Sequence, residues 1–168
     1  RQRQMCIRDR INNLDVVRKA LEVVSKDEAA RTCTSLVETS VPDLVVAFQR
    51  LCECVYPQIE GAKNLKRNVF QRLDDGNKLW HDLVGKGYDD WITDAQYAKL
   101  RKCFQQRHLL QHQDGIVDQD YIAKSGDVSY QIGQHLIIKA VDITEYAEIV
   151  ENLGKQVLAL LEEVKANE

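Results

Sequence analysis

Apolar residues recur at helical spacing along most of the chain, and the breaks in that recurrence divide it into segments. Leu14, Val17, Leu21 and Val24 mark one face of an amphipathic helix over residues 11 to about 25. Asp27 offers a side-chain acceptor for the start of a shorter helix through about Glu38. Ser40-Val41-Pro42-Asp43 reads as a fresh start, because proline is tolerated in a first turn and an acid there complements the helix dipole. Leu44, Phe48, Leu51 and Val55 carry that stripe to Tyr56-Pro57. Residues 58 to 67 lack periodicity and contain Gly61, as a linker would. From Asn68 the pattern resumes with Val69, Leu73, Leu79, Trp80 and Leu83, interrupted by Asp74-Asp75-Gly76 as a break or a kink, and Gly85-Lys86-Gly87 closes it.

Thr93-Asp94-Ala95-Gln96 has the form of a capping box and opens a helix whose apolar face holds Tyr97, Leu100, Cys103 and Phe104. At about 100° per residue, Arg107 and Gln111 fall on that same face, with His108 and His112 together at its edge. After Asp114-Gly115, residues 116 to 127 read as a loop with one short helical turn. Residues 130 to 139, with Gly133 and Leu136-Ile137-Ile138, have strand character and predict a small extended arm or hairpin lying on helices. Asp142-Ile143-Thr144-Glu145 forms another capping box, and Tyr146, Ile149, Val150, Leu153, Val157, Leu160, Leu161 and Val164 line one side of the helix it opens. The expected fold is all-α: an up-and-down bundle of about five helices with a short extended or β excursion near 130–139.

Composition changes that picture at the N-terminus. Met5-Cys6-Ile7-Arg8-Asp9-Arg10, preceded by Arg-Gln-Arg-Gln, resembles the translation of a transposon-end adapter used in preparing sequencing libraries. Residues 1–10 are therefore set aside as non-native, and residues 11–168 are expected to form a single helical domain. Met5 is the only methionine, so this domain is expected to be the C-terminal part of a longer protein. Without the first ten residues the charged groups number 19 basic against 25 acidic. The excess is uneven: residues 11–60 carry −3, residues 61–112 carry +4, and residues 113–168 carry −7. A polyanionic partner would have to use the middle segment.

Hydrophobic residues make up 44% of the chain, enough to bury a core, and no apolar run approaches the roughly 18 residues of a membrane span. Cys33, Cys52, Cys54 and Cys103 show no disulfide framework, which points to a reducing cytoplasm. Cys52-Glu53-Cys54 is no zinc half-site, because residues two apart on a helix face nearly opposite ways and no second pair completes the ligands. The glycine loops lack a preceding strand and a Gly-Lys-Ser/Thr, so they are not phosphate cradles. Trp80, Trp91, Tyr97 and Phe104 lie on helical stripes and read as core. His81 and His135 read as surface or satisfied histidines, and Asp114, Asp118 and Asp120 as loop caps.

The remaining polar groups converge on the helix after Thr93, where an apolar stripe turns polar in its last two turns. An arginine on such a face either pairs with an acid in the core or lines a cleft. His108 and His112, four apart, lack the intervening Glu and third ligand that a metal would need. Arg107 to His112 is an Arg-x4-His spacing with a polar residue directly after the arginine. Together with the helical surroundings, this resembles the HEPN superfamily (higher eukaryotes and prokaryotes nucleotide-binding domain), whose nuclease members carry Arg-x4-6-His. The resemblance is strongest from about Asn68 to Lys139.

The resemblance implies metal-independent endoribonuclease activity with no cofactor, as in toxins or defence effectors. His112 would take the proton of a ribose 2′-OH. Arg107 would hold the scissile phosphate, and His108 would orient it or protonate the leaving 5′-oxygen. Products would carry 2′,3′-cyclic phosphate and 5′-OH ends. Lys66, Arg67, Asn68, Arg72 and Gln111 are candidate RNA contacts. The family commonly sets two motifs face to face, which implies a homodimer, and an antitoxin would be a further partner. The alternative it offers is a non-catalytic binding or assembly module that partners a nucleotidyltransferase or an upstream domain.

Overall fold

The computed structural model describes residues 2–166, with side chains from Cys6 to Glu162. Among the described residues there are eight helices: α1 (Gln2–Asn12), α2 (Leu14–Glu22), α3 (Lys26–Val55), α4 (Leu73–Val84), α5 (Tyr88–Trp91), α6 (Asp94–His112), α7 (Gln119–Ser125) and α8 (Ala140–Ala166). Two 3-10 turns, Tyr56–Gln58 and Val69–Gln71, lie between α3 and α4. The all-α class is as expected, but the count of about five is too low. Helix α7 falls where one short helical turn was expected, while the four-residue α5 is too short to show a period.

The 30-residue α3 is the spine, packing against α1, α2, α6 and α8. It replaces the two helices expected over 27–38 and 40–56. Ser25, not Asp27, caps it, its Oγ accepting the Glu28 N–H at 3.3 Å. Pro42 does not restart the helix but sits inside it, where it removes a backbone donor. The hydroxyls of Thr39 and Ser40 donate back to the carbonyls of Ser35 and Leu36 at 2.8 and 2.7 Å. An interior proline costs roughly 3 kcal/mol. Val37, Val41, Leu44, Val45 and Phe48 are all buried around it, and each contributes about 1.5–3 kcal/mol, which outweighs that cost.

The first expected helix, over 11–25, is divided differently as well: α1 runs to Asn12 and α2 begins at Leu14. Residues 2–10 of the segment set aside above lie in α1, where Ile7 is buried, Arg8 pairs with Glu151 at 2.8 Å and Arg10 with Asp43 at 3.1 Å. Asp74-Asp75-Gly76 proves to be neither break nor kink but the first turn of α4. The two acids suit the positive end of the helix. Gly76 admits Tyr88, because a Cβ there would lie 2.9 Å from its hydroxyl.

Beside that glycine, Tyr56, Phe70, Trp80, Tyr88 and Trp91 form a chain of tilted and edge-on rings, joined by Phe48 from α3. The buried Tyr88 hydroxyl accepts the Trp80 Nε1–H at 3.1 Å and lies 3.5 Å from Cys52 Sγ. Burial pushes the Cys52 thiol up to about 12, and Cys33 and Cys103 are buried too, whereas Cys6 and Cys54 are exposed.

The excursion near 130–139 is extended but contains no strand. It rests on the loop before α7 through one antiparallel bridge, Ile116 with His135, and through bonds from Val117 N to Gln134 O and Leu136 N to Gly115 O. Leu136 and Ile138 are buried while Ile137 is exposed, the two-residue alternation of an extended chain. Both buried residues belong to the hydrophobic core. The helix after it starts at Ala140, before the expected cap: Asp142 stands in its first turn and accepts the Lys139 N–H at 3.2 Å. Its stripe from Tyr146 to Val157 is buried, Leu160 and Leu161 are partly so, and Val164 lies outside the described side chains. No helix among the described residues is long and apolar enough to cross a membrane.

Candidate functional site

The helix that carries the Arg-x4-His spacing begins as its capping box predicts. Thr93 Oγ1 accepts the Gln96 N–H at 3.3 Å, and Gln96 Oε1 accepts the Thr93 N–H at 3.1 Å. At the far end the Leu109 carbonyl accepts the N–H groups of Gln113 and Gly115, and Asp114 and Gly115 both take the left-handed conformation that turns the chain away.

The buried face is Leu100, Cys103, Phe104, Gln106 and Leu109. Gln111, expected on that face, is exposed, and Arg107 is only half-buried. The burial turns toward Gln106 and Leu109 because α7 and the loop before it close over the end of α6. That closure is tight. Asp118 caps α7 by accepting the Tyr121 N–H at 2.7 Å. The Tyr121 hydroxyl donates to Asp127 at 2.9 Å, and Lys102 of α6 meets the same carboxylate at 2.8 Å. Burial would raise the Asp127 carboxyl, but its bonds from Lys102, Ser129 and Tyr121 prevail and hold it at about 2.

Arg107 has no carboxylate partner among the described residues. Its Nη2 donates to Gln71 Oε1 at 3.1 Å, and its Nε is shielded from solvent with no acceptor. Desolvation holds its pKa below the usual arginine value. The choice between a core ion pair and a cleft-lining cation therefore falls on neither in full: a neutral amide holds the guanidinium. The Gln106 Oε1 next to it in sequence is likewise buried without a donor. His108 and His112 are exposed on successive turns, their ring centroids 5.1 Å apart. Near His108 stands Asp120, whose carboxyl is held low first by its bond to Lys124 and in smaller part by the histidine.

Gln71 ends the 3-10 turn that follows Lys66, Arg67 and Asn68, all three exposed. Asn68 adopts φ of 57°, an uncommon left-handed value that starts the turn, and its carbonyl accepts the Gln71 N–H at 3.1 Å. Gln49 of α3 supports it, donating to Asn68 Oδ1 at 3.4 Å and to Glu53 at 2.7 Å. The structure thus joins the basic turn to Arg107 through Gln71, and pairs His108 with His112. Arg72 departs from the set, its Nε paired with Asp75. Gln71 was missed in the sequence. It is 36 positions from Arg107, and an amide among charged residues carries no local signal.

Among the described residues one group offers three metal-ligating atoms within 4.8 Å: His81, Asp89 and Asp90, at the corner of α4 and α5. His81 Nε2 lies 2.8 Å from Asp89 Oδ1, and Asp90 also accepts the Gly87 N–H at 2.8 Å. These bonds make the group a satisfied corner, in keeping with a satisfied His81. Cys52 and Cys54 point to opposite sides, one buried and one exposed. No protein-family model, no curated protein and no solved structure matches the chain.

Proposed function

We propose that this protein is a metal-independent endoribonuclease of the HEPN type, with Arg107, His108 and His112 as its reacting groups. The observation that carries the reading is the state of Arg107: a half-buried cation, one donor held by a neutral amide and Nε without an acceptor, next in sequence to His108 and on the same helix as His112, both exposed. Such a group has unspent capacity for an anion. Neutral His112 accepts the 2′-OH proton, the 2′-oxygen attacks the phosphorus, and the 5′-oxygen leaves with a proton from His108. Arg107 stabilises the charge on the non-bridging oxygens. Lys66 and Arg67 supply cationic surface beside it. The proposal includes a cytoplasmic homodimer that sets two such clusters across one cleft, with an antitoxin as the partner that restrains it.

The test is RNA cleavage by the purified protein in excess chelator, with end-group analysis. Cleavage that persists and leaves 2′,3′-cyclic phosphate is expected. Arg107→Ala or His112→Ala protein cutting as fast as the parent would sink the assignment.

A second reading is favoured by a different observation. Val128, Ile132, Ile137 and Val141 are exposed apolar residues on and just either side of the extended segment. They suit a non-catalytic module that docks on a nucleotidyltransferase or an upstream domain. An inert protein whose two histidines can be replaced without consequence, yet which binds such a partner through this segment, would favour it.

A further inference from the structure

The side chain that holds Arg107 is neutral, and the neutrality matters chemically. A carboxylate of the same reach would hold the guanidinium through a charge-assisted bond and cancel its charge. The Gln71 amide oxygen, 3.1 Å from Nη2, fixes the group and leaves the charge and the other Nη donors available. Gln71 is itself placed from the core. Gln49 on α3 bonds Asn68, the left-handed Asn68 opens the 3-10 turn, and the turn ends at Gln71. Cationic groups Lys66 and Arg67 directly precede Asn68 and this turn, while Arg72 beyond it is matched by Asp75.

The geometry points to Gln71 as a positioning residue that aims Arg107 at a phosphodiester oxygen and, by being uncharged, keeps the arginine selective for anions. This rests on the ribonuclease reading above and adds to it a residue outside the Arg-x4-His spacing.

The deciding variant is Gln71→Glu, which keeps the acceptor and its reach and adds only charge. Its denaturation midpoint and its affinity for a uniformly 2′-O-methylated RNA oligonucleotide, which cannot be cleaved, are measured beside Gln71→Ala, Arg107→Ala and the parent. Gln71→Glu is expected to be as stable as the parent or more so, yet to bind at least tenfold more weakly. Gln71→Ala, which adds no charge, is expected to bind severalfold more weakly.

A merely structural glutamine would make stability and affinity move together. Gln71→Glu protein that binds like the parent overturns the positioning role, and so does parental binding by Gln71→Ala should the glutamate variant fail to fold. Where the Gln71 variants bind like the parent but Arg107→Ala abolishes binding, this proposal falls and the ribonuclease reading survives. A parent that binds no oligonucleotide, or Arg107→Ala protein that binds like the parent, overturns both.

Discussion

The corner between α4 and α5 and the C-terminal end of α6 treat their polar groups in opposite ways. At the corner, Tyr88 accepts from Trp80, Asn77 Oδ1 accepts the N–H groups of Tyr88 and Asp89, Asp90 accepts that of Gly87, and His81 meets Asp89. At the end of α6, Arg107 Nε and Gln106 Oε1 are shielded and unmatched, and Gln111 and both histidines face solvent. A saturated network has nothing left to offer a ligand and serves to specify one packing. An unsaturated one costs stability and keeps hydrogen-bonding capacity in reserve, as a binding site must.

The contrast is broken most severely at the two extremes. His112→Ala is expected to lower RNA cleavage by about 10²- to 10⁴-fold, the usual worth of a general base, while leaving the denaturation midpoint in place. Trp80→Ala is expected to do the reverse, costing about 3–5 kcal/mol in denaturant titration, because it empties the middle of the ring chain. A milder cut, Tyr88→Phe, keeps the ring and removes only the acceptor of the Trp80 N–H. Leaving that buried donor unmatched is expected to cost about 1–3 kcal/mol.

The smallest effect is one of pH. Asp127 is held below the ordinary carboxyl value, so its contribution is present above about pH 4 and disappears as pH falls toward about 2. The loss is about 1–2 kcal/mol. Asp127→Asn protein is expected to lack this segment of acid destabilisation. Were it to keep the parent's full acid dependence, the closure of α7 onto α6 would not depend on this charge.

How much of this could be read beforehand differs from element to element. The start of α6 was legible because Thr93 and Gln96 are local partners three residues apart, and of the three acids read as loop caps, Asp118 caps α7 through an equally local bond. Pro42 misled because its cost is local, whereas the burial of Val41, Leu44 and Phe48 that overrides it depends on the elements packed against α3. The interrupted stripe at Asp74-Asp75-Gly76 misled likewise: the glycine answers to Tyr88, twelve positions on. In the candidate site, Arg107, His108 and His112 could be named through the family resemblance that their spacing and helical surroundings carry. Gln71 could not, and neither could the rotation that leaves Gln111 in solvent, since both depend on which elements come to lie against α6.

The distribution of thiols along the chain makes the folded protein a ready spectroscopic object. Cys54 is open to reagents near one end of the spine, while Cys52, two residues earlier, is enclosed and held protonated. A maleimide dye or nitroxide added to folded protein would therefore be drawn to Cys54, and to Cys6 on α1, and not to Cys33, Cys52 or Cys103. The result is a pair of labels fixed to the surface without a single substitution in the interior.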